Sequence, residues 1–310
     1  MRISGATILR NVVRFGYPFE ESIRSLLPLV DELVVAVGDS DDDTLARTRA
    51  LAAAEPSIRV IATMWGPRTA GGEVLSEQTN AALAHCTGDW AVYLQADEVL
   101  HQDDLQIARD AMRRHLSRRT EGLLFRYHHF WRTFDLVSDD WTLVYPRAVR
   151  AVKLGAGVIS AGDACGFQVR RRGRARGLIK ADSGACVYHY GWCNPPDRQL
   201  DRINNLKAVY NQPPISVRDE RTIFGPAMRV RRFAGTHPAA MRDRIVRGES
   251  FEAPANPRMP AGIHAAVHML RRPASCRSWA RPLLPTALTN AWWRFKDLTA
   301  GRQRDAGQCA

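Results

Sequence analysis

Ten residues, Asp89-Trp90-Ala91-Val92-Tyr93-Leu94-Gln95-Ala96-Asp97-Glu98, constrain this chain more than any other stretch. The run 90–94 is apolar, aromatic and of strand length, and it stops abruptly at carboxylates. A buried strand of this kind delivers those carboxylates to its C-terminal edge, where open α/β sheets bind their ligands. Adjacent carboxylates repel unless a cation or a donor group lies between them. A hard divalent cation, Mg2+ or Mn2+, is the natural partner for such oxygens.

The pattern upstream shows what that strand belongs to. Residues 6–15 hold Ile8, Leu9, Val12 and Val13 and predict a first strand with its loop. Helical spacing follows over 18–30 at Phe19, Ile23, Leu26 and Leu27. A short apolar strand over 33–37 ends in the acidic loop 38–44, which can cap a helix over 45–54. A third strand over 57–62, a Gly-rich loop over 63–72 and a helix over 75–86 lead to the strand at 90–94. A helix over 103–119 then ends in Arg113, Arg114, Arg118 and Arg119, where a helix dipole favours cations. Four alternations of strand and helix predict a Rossmann-like, mostly parallel sheet covered by helices on both faces.

From Gly122 the character changes. Strands are expected over 123–131 and 141–152, loops over 158–167 and 170–176, one or two strands over 178–190, and a helix over 197–210. Beyond residue 215 the chain is irregular and rich in Pro, Arg and Trp, with helices expected over 238–246, 262–270 and 289–298. We therefore divide it into a domain over 1–215, with halves 1–105 and 106–215, and a basic extension over 216–310.

Charge follows the same division. The chain carries a formal charge of +12, yet residues 1–140 hold 15 arginines and no lysine against 21 acidic residues, a net of −6. The remainder is therefore +18, which suits contact with anions such as donor phosphates, an acidic acceptor or a lipid surface. A solvated basic face is the plainer alternative. Six cysteines without a CxxC pair suggest neither zinc nor a disulfide framework. No apolar run reaches the roughly 18 residues of a spanning helix, and the start lacks a signal core. These features predict a cytoplasmic protein, or one peripheral to the inner face of a membrane.

Several motifs in this order resemble the family-two glycosyltransferases of the GT-A fold. They are Ser40-Asp41-Asp42-Asp43-Thr44 after the second strand, Asn80 within the helix before Thr87-Gly88-Asp89-Trp90, and Gln95-Ala96-Asp97-Glu98 after the fourth strand. The resemblance covers residues 3 to about 105. The stretches 160–167 and 187–192 resemble a bacterial subset of that family. Departures are Gln95 in place of the first Asp of a DxD motif, Val37-Gly38 in place of an acidic pair, and Thr79 where Arg is common.

The resemblance implies an α/β chain of GT-A type that uses Mn2+ or Mg2+ and a UDP- or GDP-sugar. Asp97 is the expected metal ligand, and His189 from the later segment is expected to complete the site. Glu98 is a candidate for supporting the metal ligand from behind or for contacting the donor sugar, and Gln95 offers a carbonyl oxygen or a hydrogen bond to ribose. Asn11, Asp39, Asp42 and Asn80 complete the donor-binding set. Asp163, among small residues that let backbone approach a sugar, is the candidate base. Each has a plainer alternative. Asp97 and Glu98 could cap a loop, and His189 could stack between Tyr188 and Tyr190. Asp163 could be a turn residue. Asp39 or Asp42 could be a helix cap, and Asn80 could tie down a neighbouring turn. Arg170, Arg171, Arg172, Arg174 and Arg176 could clamp phosphates or simply be solvated. Trp141, Tyr190 and Trp192 could stack on sugars or pack in the core. Arg271, Arg272, Arg277, Arg281, Trp292, Trp293, Arg294 and Lys296 suit an interfacial membrane contact, or a packed helix.

The expected function is an inverting, metal-dependent glycosyltransferase of hexosyltransferase type, acting on a bacterial surface glycan or a lipid-linked acceptor. Inversion is implied by the resemblance alone. The rival is a catalytically silent GT-A-like domain that scaffolds an anionic partner, which Gln95 and Gly38 favour. No nucleic-acid motif accompanies the basic residues. A glycosidase needs two carboxyls flanking a cleft, which adjacent Asp97 and Glu98 do not provide.

Overall fold

The computed structural model describes residues 1–66, 72–138, 144–215 and 230–248. The first half alternates as expected: β1 (Ile3–Leu9), α1 (Phe19–Leu26), β2 (Glu32–Val37), α2 (Thr44–Ala54), β3 (Ile58–Ala62), α3 (Val74–Leu83) and β4 (Trp90–Tyr93). A short β5 (Glu98–Leu100) and α4 (Gln102–His115) follow. Then come β6 (Gly122–Trp131), β7 (Thr133–Ser138), β8 (Arg147–Lys153), β9 (Val158–Ala161), β10 (Gly166–Arg171), β11 (Arg174–Gly177) and β12 (Lys180–Trp192). α5 (Pro196–Val209), β13 (Val230–Arg232) and α6 (Arg242–Val246) complete the described chain.

The main sheet runs β13-β7-β6-β8-β4-β1-β2-β3, with β12 beside β6 and β5 beside β12. It is parallel from β3 to β4, and antiparallel where β8 joins β4 and β6. This is the α/β arrangement of GT-A type that the sequence implies. Alternation sorts the parallel strands onto two cores. Leu33, Val35, Val37, Trp90, Val92 and Leu94 pack with α1 residues Phe19, Ile23 and Leu26. Val34, Ala36, Ala91 and Tyr93 pack on the other face with Ala82 and Leu83 of α3. Strands buried on both faces have little choice but continuous apolar sequence.

The second half departs from expectation in two places, the loops expected over 158–167 and 170–176. Residues 158–167 are strand at both ends, with a turn only over 162–165, and β9, β10 and β11 form a separate antiparallel sheet. Its outer strand, β11, is fully exposed, so it lacks the apolar alternation that marks a strand. The basic stretch 170–176 is the hairpin of that sheet, with Arg171 paired to Arg174 in register. Residues 180–192 form one long strand, parallel to β6, with irregular register between His189 and Trp192.

Part of the chain beyond the boundary expected at 215 lies against the sheet. Residues 230–248 return to the domain: β13 extends the sheet beside β7, and Met241 is fully buried against Phe130, Tyr188 and Tyr190. The expected helices over 262–270 and 289–298, Trp141 and the Arg/Trp cluster 271–296 lie outside the described residues. Among the described residues, no helix is long and apolar enough to cross a membrane.

Candidate active site at the edge of the fourth strand

Asp97 follows β4 and immediately precedes β5. Its carbonyl accepts from Tyr190 N–H at 2.9 Å, which fastens it to β12. His189 of β12 places Nε2 3.3 Å from Asp97 Oδ2. Arg202 of α5 places Nη2 2.7 Å from the same oxygen. All three groups meet over Gly191. A β-carbon there would stand 2.5 Å from Arg202 Nη2 and 2.9 Å from His189 Nε2, and nearer still to Asp97 Oδ2. Burial alone would raise the Asp97 carboxyl, but His189 and Arg202 hold it well below the usual carboxylate range. Arg202 itself lies over the rings of Tyr17 and Trp192, 5.0 and 5.6 Å from their centroids.

The pair Asp97 and His189 fits a small hard cation in spacing. Neighbouring ligands at right angles, with bonds of about 2.1 Å, stand about 3 Å apart. Among the described residues no third His, Cys, Asp or Glu joins them. Two protein ligands completed by phosphate and water is how Mg2+ is commonly held, and an imidazole beside a carboxylate also suits Mn2+.

Glu98 does not reach a donor. It is fully buried, and both its oxygens face Arg150, at 2.6 Å from Nη2 and 2.7 Å from Nε. Tyr127 donates its hydroxyl to Glu98 Oε1 at 2.7 Å, and Gln95 donates its N–H to Oε2 at 3.0 Å. Of its two expected roles the sugar contact is therefore corrected: Glu98 is an internal anchor that closes the turn presenting Asp97.

The remaining candidates join the loops at the same sheet edge. Asn11, in the left-handed region at φ 53, accepts from Asp41 N–H at 2.9 Å. Asp39 accepts from Trp65 N–H at 3.1 Å and pairs with Arg10. Asp42 accepts from Arg14 N–H and Thr44 N–H, at 2.8 and 2.9 Å, one residue ahead of Asp43 at the start of α2. Asn80 exchanges two hydrogen bonds with the Ser160 backbone, at 3.0 and 2.8 Å, and ties α3 to β9. The Gln95 backbone carbonyl accepts from the Ser22 hydroxyl at 3.2 Å.

Asp163 lies apart from Asp97. It is buried, accepts from Tyr210 O–H at 2.9 Å, and accepts from Cys165 N–H at 3.2 Å. The second bond is the turn geometry that was the plainer alternative. Tyr210 and Arg202 are eight residues apart along α5 and its cap, about 12 Å of helix axis.

Sequence reasoning missed Arg202, Gly191, His129 and Arg150. Arg202 lies 105 residues beyond its partner, on a helix that carries no motif. The adjacent His128 and His129 in an aromatic strand were a usable signal. Gly38, noted as a departure, has a physical reason: the Trp65 indole packs where any β-carbon would sit. Of the basic stretch, Arg176 forms an ion pair with Glu121 at 2.5 Å, and Tyr190 packs in the core as a hydrogen-bond partner of His237.

A family model described as glycosyl transferase family 2 matches residues 18–120. No curated protein sequence matches the chain. Among solved structures, S. aureus TarS aligns at 14% identity and TM-score 0.33, over 49% of this chain and 28% of that one. Its 1–349 fragment aligns at 13% identity and TM-score 0.36, over 67% and 65%. The chain thus spans less than two thirds of either. Glucosyl-3-phosphoglycerate synthase from Mycobacterium tuberculosis, solved with Mn2+, UDP and phosphoglyceric acid, aligns at 17% identity and TM-score 0.37, over 70% and 81%.

Proposed function

We propose that this chain is a glycosyltransferase that moves a sugar from a nucleotide-sugar donor to a hydroxyl, with a divalent cation held by Asp97 and His189. The observation that carries the reading is the meeting of Asp97 Oδ2, His189 Nε2 and Arg202 Nη2 over Gly191, with Asp97 just past the end of β4 and inside the residues 18–120 that the family model matches. The cation, Mn2+ or Mg2+, would neutralise charge developing on the leaving nucleoside diphosphate.

The chain's own groups do the rest. Asp97 remains ionised through its contacts with His189 and Arg202. Arg202, fixed between Tyr17 and Trp192, supplies a preorganised positive charge for phosphate oxygens. The proposed base is Asp163, whose Oδ2 now accepts a hydroxyl proton from Tyr210. An acceptor hydroxyl taking the place of the Tyr210 hydroxyl would meet the same oxygen. Asn11, Asp39, Asp42, Asn80 and Gln95 are proposed to shape the donor cleft through the loops they join. The acceptor class we propose is a bacterial surface glycan or lipid-linked saccharide, with inversion at the transferred hexose and a cytoplasmic location that includes the inner membrane face.

Calorimetry with UDP-, GDP-, TDP- and CMP-sugars, with and without Mn2+, tests the reading on wild type and Asp97→Ala. One nucleotide should bind only with metal, and the substitution should abolish this in a folded protein. One observation favours a second reading, a silent scaffold for an anionic partner: Arg202 already occupies Asp97 Oδ2. Under that reading no sugar nucleotide binds with or without metal.

A further inference from the structure

We propose that Arg202 makes a divalent cation and a diphosphate bind as a pair, opposing the cation alone and favouring it beside the anion, an inference that rests on the metal-dependent donor reading above. Asp97 Oδ2 is shared. Arg202 Nη2 lies 2.7 Å from it and His189 Nε2 lies 3.3 Å from it. A cation taken by Asp97 and His189 therefore binds an oxygen that also serves a guanidinium. Asp97 and Arg202 cancel as a pair, so a divalent cation added to them leaves its whole charge unbalanced. The two side chains are only 5% and 12% exposed, and water screens such an excess poorly. Glu98, the neighbouring carboxylate, is spent on Arg150. Among the described residues no further His, Cys, Asp or Glu joins the group. The negative charge of a diphosphate restores the balance and takes charge-assisted hydrogen bonds from the guanidinium.

Each of the three groups is held from behind. Asp97 is fastened to β12 through the Tyr190 N–H. The His189 ring is backed by His129, with 3.1 Å between their Nδ1 atoms. Arg202 is held over the Tyr17 and Trp192 rings, 5.0 and 5.6 Å from their centroids, and ring faces favour a cation. Its Nε is buried and has no hydrogen-bond partner among the described residues. A buried donor left unpaired is a cost that an added acceptor relieves. One side chain thus repels the lone cation and binds the anion that accompanies it. The result is positive linkage, in which each ligand strengthens the other by the same factor.

The full chain is titrated with Mn2+ alone, with inorganic pyrophosphate and with UDP. Electron paramagnetic resonance reads the free ion, corrected for the complex each anion forms with Mn2+ in buffer. Wild type should bind Mn2+ weakly alone and about 5–150-fold more tightly with a diphosphate. Arg202→Met fills the space between the rings without charge, and Arg202→Gln is a second neutral variant that keeps amide donors. Both should bind Mn2+ alone at least about fivefold more tightly than wild type, and lose most of the gain from either diphosphate. Arg202→Lys keeps the charge and should follow wild type in both respects. A merely structural role for Arg202 would weaken Mn2+ in every condition, so the opposite signs identify the coupling.

The proposal is overturned if wild type binds Mn2+ equally well with and without the diphosphates. It is also overturned if the folded neutral variants bind Mn2+ alone no more tightly than wild type, or keep the wild-type gain. Should one neutral variant fail to fold, the other and the wild-type titrations decide. If wild type binds a sugar nucleotide only with Mn2+ while the neutral variants keep the gain, the inference falls and the transferase reading stands. If pyrophosphate shows the linkage, and the variants its loss, but no sugar nucleotide binds, the inference holds and the transferase reading falls.

Discussion

A β-carbon on Gly191 would enter the space shared by Asp97, His189 and Arg202. Backbone is anchored on both sides, by Tyr190 N–H on Asp97 and by Cys193 N–H on the Tyr190 carbonyl, so the strand has little room to retreat. Gly191→Ala should therefore cost about 1–3 kcal/mol of stability, the usual range for overpacking, and should weaken Mn2+-dependent donor binding by more than tenfold. Denaturant titration and calorimetry on the same sample check both. Asp97 was legible as a carboxylate at the end of an apolar run, and His189 through the family resemblance. Arg202 and Gly191 were not, because their role exists only once α5 and β12 are brought to the edge of β4.

At the scale of elements, the turn between β4 and β5 hangs on one buried pair. Glu98 and Arg150 are both shielded from solvent, and removing one partner would strand the other's charge. Arg150→Ala should destabilise by about 3–5 kcal/mol, whereas the double change Glu98→Leu with Arg150→Met should recover most of it. Equilibrium unfolding of the three variants gives the comparison. Loss of Asp97 geometry, read as loss of donor affinity, should persist in the double variant because the Gln95 N–H on Glu98 is also gone.

A second joint holds β1, β2 and β4 together. Glu32 accepts from the Ser4 hydroxyl at 2.6 Å, and from Thr87 through both its N–H and its hydroxyl at 2.6 and 2.8 Å. Burial would raise its carboxyl, yet these donors hold it below its ordinary value of 4.5. A depressed value in the folded chain contributes stability above the unfolded value, and that contribution is lost as pH falls through the folded one. Unfolding free energy should therefore fall with acidification below about pH 4.5, and Glu32→Gln should flatten that part of the profile. The parallel alternation from β1 to β4 was legible because β2 and β4 are continuous apolar runs and helical spacing separates the strands. β9 and β11 were not, because each has only four residues and β11 is exposed throughout, and β10 ends in exposed Arg170 and Arg171. β7 was hidden within an aromatic stretch that reads equally well as a loop edge.

Across the whole molecule, the uneven charge has a partly internal explanation. Arg150, Arg176, Arg202 and Arg244 of the basic half pair with Glu98, Glu121, Asp97 and Glu21 of the acidic half. The asymmetry was plain in the sequence, but its partners were not, since they lie from 52 to 223 residues apart. The last of these pairs belongs to the returning segment 230–248. That segment closes an aromatic face in which Phe130 stacks on Tyr190 at 4.6 Å and meets Phe233 at 5.0 Å. His237 accepts from or donates to the Tyr190 hydroxyl at 2.8 Å. Because Tyr190 stands between His189 and Gly191, the segment braces the strand that carries the candidate metal ligand. Met241→Ala, at a fully buried site, should cost about 2–5 kcal/mol. A chain ended after residue 229 should melt earlier than the full chain, bind a hydrophobic dye through the uncovered face, and lose Mn2+-dependent donor affinity. Melting curves, dye fluorescence and calorimetry would show the three changes together. Retained donor affinity in that shortened chain would mean that β12 holds its shape without the brace.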